Sequence, residues 1–233
     1  RSGRILRIHG VYQEQPKFYK GNRRPGNWLI KFLTDSFLDR KSIAERQEKG
    51  PAPRGIVLQS FFKRRGSVLE NIRLTIKETE KEDLGNLRAL WNDGEVMFFV
   101  GFPQGLGITR EETEQWLEGA IAKPQRCHYS IYADQIGFCG EAFYNVDDHG
   151  LAALDIKLLP KARGKGIAFR ALTFAINQAF ASGLAERAYV EPHPGNEKAR
   201  QLYKRLGFKA KPRPDYLEEG QTYLELSKSQ WKA

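Results

Sequence analysis

Leu158-Leu159-Pro160-Lys161-Ala162-Arg163-Gly164-Lys165-Gly166-Ile167-Ala168 is the stretch on which the fold turns. An alternating apolar run, Leu151–Leu158, leads into it, and a helical pattern, Ile167–Ala181, leaves it. Gly164, Gly166 and the small Ala168 let a backbone turn tightly and aim successive amides at one spot. That spot is also the positive end of the following helix, so the segment suits a pyrophosphate. Arg163 and Lys165 add charge. Rival phosphate motifs are missing: there is no GxxxxGK[ST], and no GxGxxG after a first strand. Taken on spacing alone, the glycine pair is also compatible with simple turn chemistry.

Working outward, Ile72–Ile76 alternates apolar and polar residues as an opening strand. Lys81–Trp91 carries Leu84, Leu87, Leu90 and Trp91 on one helical stripe, closed by Asn92-Asp93-Gly94. Thr109-Arg110-Glu111-Glu112 is a capping box and starts a helix through Trp116, Leu117 and Ile121. Strands follow at His128–Tyr132, Ile136–Tyr144 and Leu151–Leu158, joined by hairpin-turn compositions. After the helix Ile167–Ala181, stopped by Gly183, come a strand at Arg187–Glu191 and a helix from Asn196 to Leu206. A strand pair near Phe208 and Tyr223–Leu226 ends the pattern. The order β-α-α-β-β-β-α-β-α-β-β predicts an α/β (α+β) fold, a mixed sheet with helices on its faces.

Two motifs together point to a family. Arg163-Gly164-Lys165-Gly166-Ile167-Ala168 resembles the R/Q-x-x-G-x-G/A signature of the GNAT superfamily of N-acetyltransferases. Asn196 to Phe208, NEKARQLYKRLGF, resembles that family's N-x-x-A-x-x-L-Y-x-x-x-G-F segment. The resemblance covers about residues 71–228. It implies a mostly antiparallel central sheet and transfer of an acetyl group from acetyl-CoA to an amine acceptor, in a ternary complex and without a metal. By position, backbone groups near Leu158 would pair with the pantetheine arm, and amides of Arg163, Gly164, Lys165, Gly166, Ile167 and Ala168 would cradle the pyrophosphate. Asn196 would contact the cofactor from the start of the next helix.

The family resemblance also implies the catalytic pair. Tyr203 stands at the position where the phenol commonly protonates the leaving thiolate. The competing reading is a packed helix tyrosine. An amine of pKa near ~10 must lose a proton before attack. Glu191, twelve residues before Tyr203, resembles the proposed base of ribosomal-protein alanine acetyltransferases. Asp155 and Glu141, on central strands, are the alternatives, and His193 a weaker one. Cys139 reads as core, and Trp91, Trp116, Phe98 and Phe99 as core or acceptor wall.

Charge divides the chain. Residues 1–70 hold 16 Lys+Arg against 6 Asp+Glu, while the remainder carries 22 of each. The expected organisation is therefore a basic extension of unassigned fold, 1–70, on an acetyltransferase domain, 71–233. A polyanion or ribosome contact through the extension is one reading and a solvated arm the other. Trp28, Leu29, Phe32, Leu33 and Phe37 suggest a short amphipathic helix there, and Phe61-Phe62 before Lys63-Arg64-Arg65-Gly66 a linker.

At 40% hydrophobic and 28% charged residues, the composition excludes global disorder. No apolar stretch approaches the ~18 residues of a membrane span. Cys127 and Cys139 are too sparse for a disulfide scaffold or a zinc site. With no leader visible, a soluble, cytoplasmic chain is expected, a fragment or a processed form. A non-catalytic acyl-CoA sensor is the rival function, and a homodimer is left open.

Overall fold

The computed structural model describes residues 72–217 and 222–232, and the backbone of 56–58. The amphipathic stretch at 28–37, the linker at 61–66 and the polyanion reading of the arm lie outside the described residues. Within the segment expected as an extension, Ile56–Leu58 (β1) pairs antiparallel with Leu74–Glu78 (β2).

From β2 the chain enters a single-turn 3-10 helix, Lys81–Asp83, and the helix α1, Leu84–Trp91. A short helix α2, Gly94–Met97, was not foreseen from periodicity. Asp93, which reads in sequence as part of a helix stop, also opens α2 by accepting from the N–H groups of Glu95 and Val96. Helix α3, Arg110–Ile121, begins on the expected capping box: Thr109 Oγ1 accepts from Glu112 N–H and the Glu112 carboxylate accepts from Thr109 N–H. Strands β3 (Arg126–Ala133), β4 (Gly137–Val146) and β5 (Leu151–Leu158) form an antiparallel meander. Then follow α4 (Ile167–Ala181), β6 (Arg187–Val190), α5 (Glu197–Arg205), β7 (Lys209–Ala210) and β8 (Leu224–Ser227).

The eight strands of the described residues share one sheet in the order β1-β2-β3-β4-β5-β6-β8-β7, and among them only β5 and β6 run parallel. The alternation of each strand sends side chains to two faces. One face buries Ile76, Ile131, Ala142, Leu154 and Val190 under α4 and α5. The other packs Phe138 and Phe143 against Leu87, Leu90, Trp91 and Trp116 of α1 and α3. Among the described residues, no helix is long and apolar enough to cross a membrane.

Two irregularities position the site. The β3–β4 register slips by one at Ile131/Tyr132, leaving Cys139 as an extra residue beside Gly140. Gly140 has φ 151°, and a Cβ there would stand 2.0 Å from the Lys157 carbonyl oxygen, so only glycine fits. The second is that β5 and β6 pair only from Leu151↔Arg187 to Ala153↔Tyr189. Beyond that point β5 runs on to Leu158 with no strand on its β6 side among the described residues, and a wedge opens.

Candidate active site

The backbone groups facing the wedge follow from strand alternation. The Gly150 carbonyl accepts from Glu186 and Arg187 on the β6 side, whereas Leu159 N–H donates to Cys139 on the β4 side. Even-numbered residues of β5 therefore turn their N–H and C=O toward the wedge. Ile156 and Leu158 are the last of them, and it is near Leu158 that the family resemblance implies pairing with the pantetheine arm.

At the mouth of the wedge a 3-10 turn, Pro160–Ala162, leads into the glycine loop and α4. Gly164 and Gly166 adopt φ 75° and 74°, the left-handed conformation, and a Cβ on either would meet nothing within 4 Å. Open space thus lies over both, where a phosphate group needs room. Among the described residues no side chain caps the N-terminus of α4, so its first amides are not closed off by their own helix. The donor set fits the pyrophosphate of acetyl-CoA. Arg163 spans the rim: its Nε donates to the Leu158 carbonyl and its Nη1 to Glu95 of α2 at 2.8 Å. Asn196 caps α5 through Ala199 N–H, which ties its side chain to helix initiation.

Three titratable side chains surround the wedge. Tyr203, on α5, is buried, its ring edge-on to Phe208. Burial and then the nearby charge of Asp155 push its phenol above the usual range, so it stays protonated. Glu191 follows β6 and forms an ion pair with Arg213, whose guanidinium also lies over the Tyr223 ring. Burial raises the Glu191 carboxyl, and Arg213 opposes that. Continuing the parallel register past Ala153↔Tyr189 sets Asp155 opposite Glu191 across the parted strands. Burial likewise raises the Asp155 carboxyl against the pull of Lys157.

The structure thus gathers Tyr203, Glu191, Leu158 and the glycine loop around one opening. Glu141 is set back from it in the core. His193 packs beside Phe99, its ring 5.5 Å from the phenylalanine ring. Trp91 and Trp116 are core, edge-to-face at 4.7 Å, whereas Phe98 and Phe99 are exposed. Cys139 is buried and its thiol raised by burial. Sequence reasoning missed Glu95, Lys157 and Arg213. Only Lys157 left a signal, as a second charge two residues after Asp155 on a strand with buried faces.

A family model described as an acetyltransferase (GNAT) domain matches residues 73–209. The chain belongs to the GNAT family. Solved structures agree on the fold. A spermidine N-acetyltransferase from Vibrio cholerae, in complex with CoA and spermine, superposes with TM-score 0.58 at 20% identity, covering 67% of this chain and 96% of that one. A GNAT-family acetyltransferase from Streptococcus pneumoniae gives TM-score 0.57 at 22% identity, covering 66% and 98%. An aminoglycoside acetyltransferase in complex with coenzyme A gives 0.56 at 18%, covering 67% and 96%. No curated protein sequence matches this GNAT chain.

Proposed function

We propose that the protein transfers an acetyl group from acetyl-CoA to a primary amine within a ternary complex. The observation that carries this reading is the wedge: parted strands, an open glycine loop at its mouth and a protonated phenol beside it. When bound, acetyl-CoA supplies the thioester. Leu158 and Ile156 offer backbone groups to its pantetheine arm, the amides from Arg163 to Ala168 hold its pyrophosphate, and Asn196 contacts it from the start of α5.

Tyr203 is the proton donor to the departing thiolate, for its phenol is neutral and makes no side-chain hydrogen bond among the described residues that would hold the proton elsewhere. The base is a carboxylate of the wedge. Glu191 fits by its offset from Tyr203, but Arg213 neutralises it and holds its oxygen. Asp155 faces the same opening with its carboxyl raised, and the lysine it pairs with is shared with Glu141, so we assign it the proton ahead of Glu191. The substrates in the names of two fold neighbours, spermidine and an aminoglycoside, support an amine as the acceptor class.

Free-thiol release from acetyl-CoA, measured across polyamines, aminoglycosides and peptides, tests the reading. Turnover on one class, lost in Tyr203→Phe and in Asp155→Asn but retained in Glu191→Gln, is the expected result. Loss in Glu191→Gln with retention in Asp155→Asn would return the base to Glu191. Acetyl-CoA binding without turnover on any amine would favour the sensor reading. Action in the cytoplasm and a polyanion contact through the basic residues of 1–70 complete the proposal, and steep salt dependence of binding would support the latter.

A further inference from the structure

Behind Asp155 lies a set of buried polar groups that the transfer chemistry above does not use. Sheet register builds it: Ser130, Glu141 and Lys157 are cross-strand neighbours in one row, and His128, Phe143 and Asp155 in the next, all on the face under α1 and α3. Lys157 Nζ donates to Glu141 Oε1 at 3.0 Å and also to Asp155. Trp91 Nε1 donates to Glu141 Oε2 at 2.9 Å, and His128 Nε2 lies 2.8 Å from the same oxygen. Thr79 Oγ1 then links His128 Nδ1, at 2.8 Å, to the Ser130 hydroxyl, at 3.0 Å.

A lysine and a glutamate buried this deeply cost more to desolvate than a hydrophobic pair of the same volume, so stability alone does not account for them. Their side chains are 3% and 1% exposed, whereas that of Asp155 is 17% exposed. Of these three charges the Asp155 carboxylate is the most exposed, and it is the one at the wedge.

We propose that Lys157, clamped by Glu141 in the core, is a positioning residue that holds the Asp155 carboxylate at the wedge. The proposal rests on the assignment of Asp155 as the base. Glu141 is held down at about 2: burial would raise it, but Lys157, His128 and Trp91 outweigh burial. Lys157 is raised because Asp155 and Glu141 outweigh its own burial. Both therefore keep their charges throughout the working range, and Lys157 presents a fixed positive charge to the carboxylate at the wedge. The charged or titratable groups around Asp155 are Lys157 on β5, Glu141 on β4 with His128 behind it, Tyr203 on α5, and Glu191 with Arg213 across the wedge.

The two clamp residues act on Asp155 with opposite sign, which a purely structural role would not do. Titration of the Asp155 side-chain carboxyl by 13C NMR in the full chain reads this directly. Lys157→Met should move its midpoint up by at least one pH unit, Glu141→Gln should move it down, and Lys157→Arg should restore it. The acid limb of kcat/KM, measured with spermidine and acetyl-CoA, should follow in the same directions.

A midpoint that stays put in both variants, or moves the same way in both, would overturn the proposal. A midpoint that moves while the kinetic limb stays would overturn the catalytic use of Asp155. A midpoint that moves in a protein that acetylates no amine would sink the transferase reading and leave the clamp standing. If Lys157→Met fails to fold, Glu141→Gln and Lys157→Arg still decide the sign.

Discussion

Arg163 Nη1 donates to Glu95 Oε1 at 2.8 Å, so the rim of the phosphate loop is fastened to α2 across 68 residues of sequence. Both side chains are largely exposed, which makes the pair weak, about 0.2–1 kcal/mol. It nevertheless neutralises the guanidinium that faces an incoming pyrophosphate. Glu95→Gln should tighten CoA binding about two- to fivefold by calorimetry at low salt, within the range such a pair allows. Binding of acetyl-pantetheine, which lacks the phosphates, should not change. Equal gains for both ligands would show that Glu95 acts on the wedge by another route.

Gly164, Gly166 and Gly183 offer a matched test of the loop. All three have φ near 75°, and a Cβ on any of them would meet nothing within 4 Å. Alanine should therefore cost each about 1–2 kcal/mol of left-handed strain and no more. Gly183 follows the far end of α4, so Gly183→Ala should bind CoA as the parent does. Gly164→Ala and Gly166→Ala should lose at least tenfold in CoA affinity, because the added methyl takes the space reserved for phosphate. Urea melts beside CoA calorimetry on the three variants separate strain from occupancy.

Tyr203→Phe removes one oxygen from a buried ring that still packs on Phe208. No hydrogen bond to a described side chain is lost, so Tm should hold within about 2 °C. With the phenol as proton donor, kcat should fall about 100-fold or more while KM for the acceptor stays. A fall in Tm with unchanged kcat would make Tyr203 the packed helix tyrosine of the alternative reading.

The strands and long helices were legible because their periods are local. Leu151–Leu158 and Ile167–Ala181 occur with the boundaries expected, and the Thr109 cap forms as written. What local pattern cannot carry is pairing. Asp93 satisfies both a stop and a start, so α2 was invisible until its own amides were seen to need a cap. Glu191 reads as a lone strand-end carboxylate because its arginine comes from residue 213, past two further elements. Asp155, Lys157 and Glu141 were each visible as charges on strands. Their joining into one chain depends on the β4–β5 register, which runs without a slip from Gly140↔Leu158 to Val146↔Ala152.

Glu141 also gives the fold an acid dependence. Its carboxyl, ordinarily near 4.3, is held at about 2 in the folded chain. A depressed carboxyl contributes stability that is present above its unfolded value and lost as the pH falls through the folded one. Asp155, whose carboxyl is raised, works with the opposite sign: its contribution is present below its unfolded value and lost as the pH rises through the folded one. Urea melts of the parent should therefore lose stability between pH ~4.5 and 2 in part through Glu141, and Glu141→Gln should flatten that limb while lowering stability at pH 7. Removing Lys157 leaves the Glu141 and Asp155 carboxylates without their shared cation, at a cost of about 3–5 kcal/mol, whereas removing Glu141 leaves Lys157 still paired with Asp155. The Glu141→Gln, Lys157→Met double variant should then be more stable at pH 7 than Lys157→Met alone, because it no longer buries an unpaired Glu141. A double variant that falls by the sum of the two single losses would mean that the residues act apart, and that the 3.0 Å contact between them carries no coupling.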